Sequence, residues 1–294
     1  MNSKLNNFVN FEREKKMLIF DVHNLAYRTL HIAYFQAPDD EDFLFWKYLM
    51  INSIFTAIKQ FGPTRVIMAF DAKHSWRKDI YQNYKAQRKE ARVKSKIDFE
   101  LFYKALDSFI ESFKIIFSNF YCLRIDKCEA DDIIAIISQM DDDYKKVIIS
   151  MDSDLIQLLR YKNVKIYSPI KKEFVSCLNP KIELELKILM GDKSDNIPGV
   201  KSKCGKATAL KIIDSGIDIF LQNEEFKSNY QRNKQLIDFE FIPQNIINTI
   251  TEEYKSYEIK KINQLQVWNW LLTNKMQKFA DDISVYIPFL SRIS

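Results

Sequence analysis

Glycine and proline are scarce in this chain, with five and seven among 294 residues. So little of either excludes a low-complexity or linker-rich protein. The four cysteines, Cys122, Cys128, Cys177 and Cys204, form no C-x-x-C pair, and the three histidines lie far from them. Zinc spacings and a disulfide framework are both missing. No apolar run approaches the roughly eighteen residues of a membrane helix. The first residues, Met-Asn-Ser-Lys-Leu-Asn-Asn, hold no signal-peptide core. Charge of one sign is not in great excess either, 44 Lys/Arg standing against 39 Asp/Glu for a net +5. These absences lead us to expect a soluble protein of a reducing cytoplasm, without a membrane partner. Internal repeats are also absent. What is plentiful is apolar content, 47% with 22 Phe, enough for one large domain or a core with a smaller one beside it.

The charges are mild in sum and segregated in sequence. From Lys73 to Lys96 there are nine Lys/Arg and only two acids, Asp79 and Glu90. Acids collect elsewhere, above all in Cys128–Leu159, where Glu129, Asp131, Asp132, Asp152 and Asp154 stand directly beside apolar runs. Ile133, Ile134, Ile136 and Ile137 repeat at helical spacing, which predicts a helix over 129–140. Glu129 and Asp132 then share one face at its N-terminus, where the helix dipole favours negative charge. N-capping plus ordinary surface acids is the plainer alternative for any one of them. Five such acids together would repel one another unless a hard divalent cation lay among them, and oxygen ligands select Mg²⁺ or Mn²⁺.

Taken in order, the chain predicts a short buried strand over 17–20 ending on Asp21, with a helix from Leu25 onward. An amphipathic helix over 43–61 follows, closed by Gly62-Pro63, then a strand over 66–70 ending on Asp71. A long helix over 97–117, strands over 121–125, 147–150 and 164–167, and the acidic helix complete an α/β core with crossover helices. Asp21, Asp71 and Asp152 thus each follow an apolar strand. If those strands are parallel, the three acids share the sheet edge at which such folds bind ligands. The basic strip carries interleaved aromatics, and Lys85, Arg88, Lys89 and Arg92 form one positive face if helical. A solvated helix face is the alternative to a surface for phosphates and bases. Near residue 180 the texture changes. Glycines 191, 199 and 205 fall between two helical segments, a hairpin whose backbone N–H groups can hold a phosphate. The remainder reads as helical, with Pro243 and Pro288 as breaks. We therefore divide the chain into a tail over 1–16, an α/β core over 17–180 with its basic insert at 72–96, and a helical region over 181–294.

Several motifs together resemble the 5′-nuclease superfamily, which includes phage 5′→3′ exonucleases, the 5′-nuclease domain of bacterial DNA polymerase I and flap endonucleases. They are Phe20-Asp21, Phe70-Asp71 with Arg77 and Tyr84-Lys85-Ala-Gln-Arg88, Glu129-Ala-Asp131-Asp132, Asp152-Ser-Asp154 and Gly191-Asp192-Lys-Ser-Asp195-Asn. Leu236–Ile246 resembles the ribonuclease H branch of T-even phages specifically. The resemblance covers about 17–260 and implies a PIN-like α/β nuclease core with a mostly parallel sheet, a basic helical arch and a helix-hairpin-helix region that grips duplex DNA. It implies one metal cluster of Asp71, Glu129, Asp131 and Asp132 and a second of Asp152, Asp154, Asp192 and Asp195, with Asp21 in support. It makes Lys85 and Arg88 the residues that steer the scissile phosphate. Nucleic-acid contacts are expected from Arg77, Tyr84, Lys85, Arg88, Lys89 and Arg92, and at the hairpin from Lys201, Lys203, Gly205 and Lys206. The hairpin departs from the family pattern, with one glycine missing and another shifted.

Two Mg²⁺ (Mn²⁺ as substitute), about 4 Å apart, would activate a water and neutralise the phosphate and leaving oxygen. The expected enzyme is a 5′→3′ exonuclease and flap endonuclease with ribonuclease H activity. It would act on DNA and RNA–DNA duplexes with a 5′ flap or nick and remove RNA primers during lagging-strand replication. We expect a monomer, in the host cytoplasm if phage-encoded. Leu5, Phe8 and Phe11 suggest docking on a sliding clamp, against a merely mobile tail, and Val285–Leu290 suggests contact with a single-strand DNA-binding protein. A small-molecule phosphohydrolase would want a second Asp two residues after Asp21, where the chain has His23, and would leave the basic strip idle. A DNA-binding scaffold with a decayed site would have lost acids of the family set, and none is missing.

Overall fold

The computed structural model describes residues 15–40, 42–140 and 142–293, with the backbone alone at Ala91. Leu5, Phe8 and Phe11 lie outside the described residues, as does the expected tail up to residue 14.

Six strands make one sheet in the order β3-β2-β1-β4-β5-β6. They are β1 (Lys16–Asp21), β2 (Arg65–Phe70), β3 (Tyr121–Arg124), β4 (Lys145–Ile149), β5 (Val164–Ser168) and β6 (Glu173–Phe174). The first five are mutually parallel, and only β6, a two-residue strand that the apolar pattern does not reveal, is antiparallel. Parallel strands need both faces covered, which is why β1, β2 and β4 read as unbroken apolar runs. Alternate residues feed two cores. Leu18, Phe20, Val66, Met68 and Phe70 face one, and Met17, Ile19, Ile67 and Ala69 the other.

The first core is roofed by α1 (Val22–Gln36) and α2 (Leu44–Phe61), which both lie between β1 and β2 in the chain. Gly62 ends α2 at a φ of 56°, a left-handed cap that favours glycine. Next come the short helices α3 (Arg77–Ile80) and α4 (Gln87–Val93) of the basic strip, then α5 (Phe99–Ile116), whose Phe102, Phe109 and Phe113 join the first core. Helix α6 (Ala130–Gln139) covers the opposite face. Between β4 and β5 the chain makes a 3-10 helix, Ser153–Arg160, in place of a crossover α-helix.

Helices α7 (Pro180–Met190) and α8 (Lys206–Ser215) flank the glycine-bearing hairpin, and α9 (Ile217–Phe220) and α10 (Glu224–Ile237) follow. Leu189, Val200, Ala209, Tyr230 and Leu236 give this part a third core of its own. The chain then returns to the sheet. Helix α11 (Gln244–Ser256) packs beside α6, while α12 (Gln264–Thr273), α13 (Gln277–Asp281) and α14 (Ile283–Leu290) close the first core. One sequence expectation is corrected here: Pro288 lies inside α14 without breaking it. Leu290 is buried in the first core and Tyr286, Ile287 and Phe289 pack against it, while Val285 is exposed.

Candidate metal centre and nucleic-acid interface

The strand order reverses at β1, which has β2 on one side and β4 on the other. In open α/β sheets the crevice beyond the strand ends at such a point is the ligand site. Asp21 ends β1 there and caps α1, its Oδ1 accepting from the Asn24 amide at 3.1 Å. Its Oδ2 accepts from Ser150 Oγ, just past β4, at 2.9 Å. Asp152 caps the 3-10 helix through the Asp154 amide at 2.9 Å. Asp131 comes from the first turn of α6. The carboxylates of Asp21, Asp131 and Asp152 offer oxygens that all lie within 4.8 Å of one another. Asp71 stands beside them, with Oδ1 accepting from the Ala130 amide at 2.8 Å. Its own amide donates to His23 Nδ1 at 3.0 Å. These acids share a cavity of about 330 Å³ with Lys85, Arg88, Tyr27 and Arg28.

Crowding three acids at this edge has an electrostatic consequence. Burial, then the charge of Asp71, raises the Asp21 carboxyl to about 7. Asp131 is held well above the usual carboxylate range by desolvation and by Asp152 and Asp21. Desolvation raises Asp152 too, although Lys187 and Lys85 oppose it. Burial lowers His23 against the pull of Asp71, which agrees with a neutral ring accepting at Nδ1. An oxygen-only set that repels itself fits a hard divalent cation.

A second group, Asp154, Asp192 and Asp195, also brings oxygens within 4.8 Å of one another. Asp192 and Asp195 are placed by the tight loop after α7. Gly191 has a φ of 74°, and a Cβ there would meet Ile197 O at 2.3 Å, so glycine is required. The ammonium of Lys187, on the last turn of α7, lies between Asp154 and Asp192, 2.7 Å from the latter. Burial would raise the Asp192 carboxyl, but hydrogen bonds from Lys187 and Ser194 bring it below its usual value. Asp154, Lys187 and Asp192 open on a neighbouring cavity of about 300 Å³.

The structure therefore groups the acids differently from the expected split. Asp152 joins Asp21 and Asp131 because β4 lies directly against β1. Asp132 and Glu129 belong to neither group. Asp132 is fully buried, accepting from Arg77 Nη2 at 2.8 Å, Trp76 Nε1 at 3.1 Å and the Glu129 amide at 2.9 Å. It closes a capping box rather than facing the cavity. Glu129 accepts from Lys85 Nζ at 2.5 Å, Arg77 Nη1 at 3.0 Å and Tyr84 Oη at 2.9 Å. Burial favours its neutral form, yet Lys85 and Arg77 hold its carboxyl down at about 2.

The basic strip is corrected in the same way. Arg77 and Tyr84, expected on nucleic acid, are buried at 3% and 2% exposure and spend their polar atoms inside the protein. Lys85 sits at a φ of 55° ahead of α4, so it does not share a helix face with Arg88, Lys89 and Arg92. Its amide donates to Asp195 O at 2.9 Å, and Arg88 Nη2 to Asp195 Oδ1 at 2.7 Å. Arg92 leans on Tyr27, with Nη2 at 2.8 Å from the hydroxyl. Lys89 is exposed, as are Lys203, Gly205 and Lys206 at the hairpin, with Lys201 partly so. Gly205 caps α8, and the Lys206 ammonium is 3.7 Å from Glu183. Sequence reasoning missed Ser150, His23 as a site residue, and Lys187. The last has a legible signal, a lysine one helical turn before Gly191-Asp192.

Sheet topology, switch-point acids and cationic rim define a PIN-like α/β nuclease. The chain belongs to the 5′-3′ exonuclease family, matching its N-terminal resolvase-like domain over residues 16–185. The C-terminal domain of T4 RNase H matches residues 179–286. Ribonuclease H of Enterobacteria phage T4 is 28% identical over 296 residues, covering 91% of this chain and 95% of that one. The 5′-3′ exonuclease of Bacillus subtilis is 30% identical, over 63% of this chain and 64% of its own. In structure the chain is similar to the bacteriophage T5 flap endonuclease in a complex with DNA and metal ions. The TM-score there is 0.67 at 21% identity, covering 83% and 99% of the two chains. T5 5′-exonuclease with bound divalent zinc gives 0.66 at 22%, with the same coverage.

Proposed function

We propose that this protein is a 5′→3′ exonuclease and flap endonuclease. Its substrates are DNA and RNA–DNA duplexes with a 5′ end, flap or nick, and it removes RNA primers of lagging-strand fragments. The observation that carries the reading is the gathering of Asp21, Asp131 and Asp152 at the switch point, beside Asp71 and facing Lys85 and Arg88. These acids would hold one Mg²⁺, and Asp154, Asp192 and Asp195 a second, with Mn²⁺ as substitute. Bound there, the cations supply an activated water and neutralise charge on the phosphate and leaving oxygen.

The chain's own residues do the positioning. Ser150 and the Asn24 amide fix both oxygens of Asp21, and the Ala130 amide fixes Asp71. Lys85 and Arg88 bring positive charge to the cavity where a phosphate would gain negative charge. Lys201, Lys203 and Lys206 border the Gly205 cap of α8, a place for a duplex phosphate. Likeness to phage T4 ribonuclease H over nearly the full chain supports the RNA-primer substrate. The decisive experiment is cleavage of a labelled 5′-flap duplex with Mg²⁺ by wild type and Asp152→Asn. Loss of cleavage with duplex affinity retained is expected. Normal turnover by the variant at saturating Mg²⁺ would overturn the reading.

A further inference from the structure

The cations around the acidic cavity are not alike. Lys85 and Arg88 reach it from the basic strip, whereas Arg28 reaches it from α1, on the wall that also carries Tyr27 and His31. Burial would lower Lys85 and Arg88, but Glu129 beside the first and Asp195 beside the second raise both above their ordinary values. Arg28 has no such partner. Among the described residues no carboxylate pairs with it, and burial alone pulls its guanidinium below the ordinary value. Nη1 reaches only the Met151 sulfur, a weak acceptor, at 4.0 Å. Nη2 is accessible and makes no hydrogen bond among the described residues. Drawing a charge partly out of water is costly unless an opposite charge meets it. A guanidinium is also the side chain whose flat fork best matches a phosphate.

We propose that Arg28 binds the substrate phosphate next to the scissile one and so holds the strand over the acids. This role presupposes the nuclease reading above and adds a binding residue to it. The scissile phosphate belongs with the acids and their cations, beside Lys85 and Arg88. Arg28 stands seven residues beyond Asp21 on α1. That is two turns, or about 10 Å along the helix. No acid of the centre acts on its charge, which sets the guanidinium clear of the place where those acids converge. What Arg28 calls for is therefore an anion inside the same cavity but off the acids. The neighbouring phosphate of the same strand meets both conditions.

The experiment compares wild type, Arg28→Ala and Arg28→Lys on a 5′-flap duplex. Cleavage in Mg²⁺ locates the wild-type cut, and equilibrium binding is then measured in Ca²⁺ across a salt series. Two further duplexes carry one neutral methylphosphonate each, one linkage to the 5′ side or to the 3′ side of that cut. Arg28→Ala should bind the unmodified duplex about tenfold more weakly, with a salt dependence flatter by about one log–log unit. Arg28→Lys keeps the charge without the fork and should recover part of that affinity. One of the two methylphosphonates should weaken wild type about tenfold and Arg28→Ala hardly at all, because both changes remove the same contact. If both linkages cost wild type and Arg28→Ala equally, or if Arg28→Ala binds as wild type does, the proposal is overturned. Wild type that does not cut the duplex would refute the nuclease reading, and this role with it. The other two failures leave that reading standing.

Discussion

Removing the charge of Asp21 should make the metal-free protein more stable. Asp21 is 4% exposed, and its carboxyl is raised from 3.8 to about 7 by burial and by its acidic neighbours. A carboxyl raised on folding binds more protons in the folded than in the unfolded state between those two values. Its contribution is therefore full stability below the unfolded value, eroded as pH climbs and converted to a constant penalty above the folded one. The difference between 3.8 and about 7 is roughly 3 units, which at 1.36 kcal/mol each is about 4 kcal/mol at pH 8. Asparagine keeps the cap, because its side-chain oxygen still accepts from the Asn24 amide at the N-terminus of α1. Asp21→Asn in EDTA at pH 8 should accordingly melt higher than wild type, by about 6 °C for a chain of this length. The two proteins should converge as pH falls toward 4.

Differential scanning fluorimetry across pH 4 to 8 in EDTA measures this directly. Wild type should lose Tm with rising pH through the window from about 4 to 7 that the shift sets. Saturating Mg²⁺ at pH 8 should return most of the loss to wild type and much less to the variant. If Asp21→Asn melts at or below wild type at pH 8 in EDTA, the three acids do not strain the metal-free fold, and the electrostatic argument for a cation site fails.

Arg77→Met should cost about 3 to 5 kcal/mol by urea denaturation, since it leaves the buried Asp132 charge unpaired and removes one of three side-chain donors to Glu129. Lys187→Met should tighten Mn²⁺ binding roughly tenfold in calorimetric titration, because its ammonium occupies the space between Asp154 and Asp192. Lys85→Ala should bind a 5′-flap duplex nearly normally in Ca²⁺ but cleave it slowly in single-turnover assays, the sign of an interaction made in the transition state. The triple change of Lys201, Lys203 and Lys206 to Ala should do the reverse, lowering affinity and flattening its salt dependence by up to about one log–log unit per lost phosphate contact.

The parallel core was legible because β1, β2 and β4 carry short unbroken apolar runs, each followed closely by an acid. Asp21, Asp71 and Asp152 therefore mark the strand ends within the sequence itself. Which acid stands next to which was not legible, because that follows from strand order, and strand order has no local signature. Asp152 neighbours Asp21 because β4 pairs with β1, although residues 22–144 intervene, as the Lys16–Lys145 and Phe20–Ile149 register sets it. The basic strip misled for a related reason. Nine cations in 24 residues look like a solvent face when counted along the chain. In three dimensions Arg77 and Lys85 meet Glu129, and Arg88 meets Asp195. Three of the strip's charges are thus already matched by acids from α6 and the loop after α7. Segregation of sign in the sequence is here the mark of two segments that fold onto one another. Lys85 and Arg88 still line the acidic cavity, but the strip and hairpin also carry positive charge outside that pairing. It includes Lys89 on the strip and Lys201 and Lys203 at the hairpin, none of which pairs with an acid among the described residues.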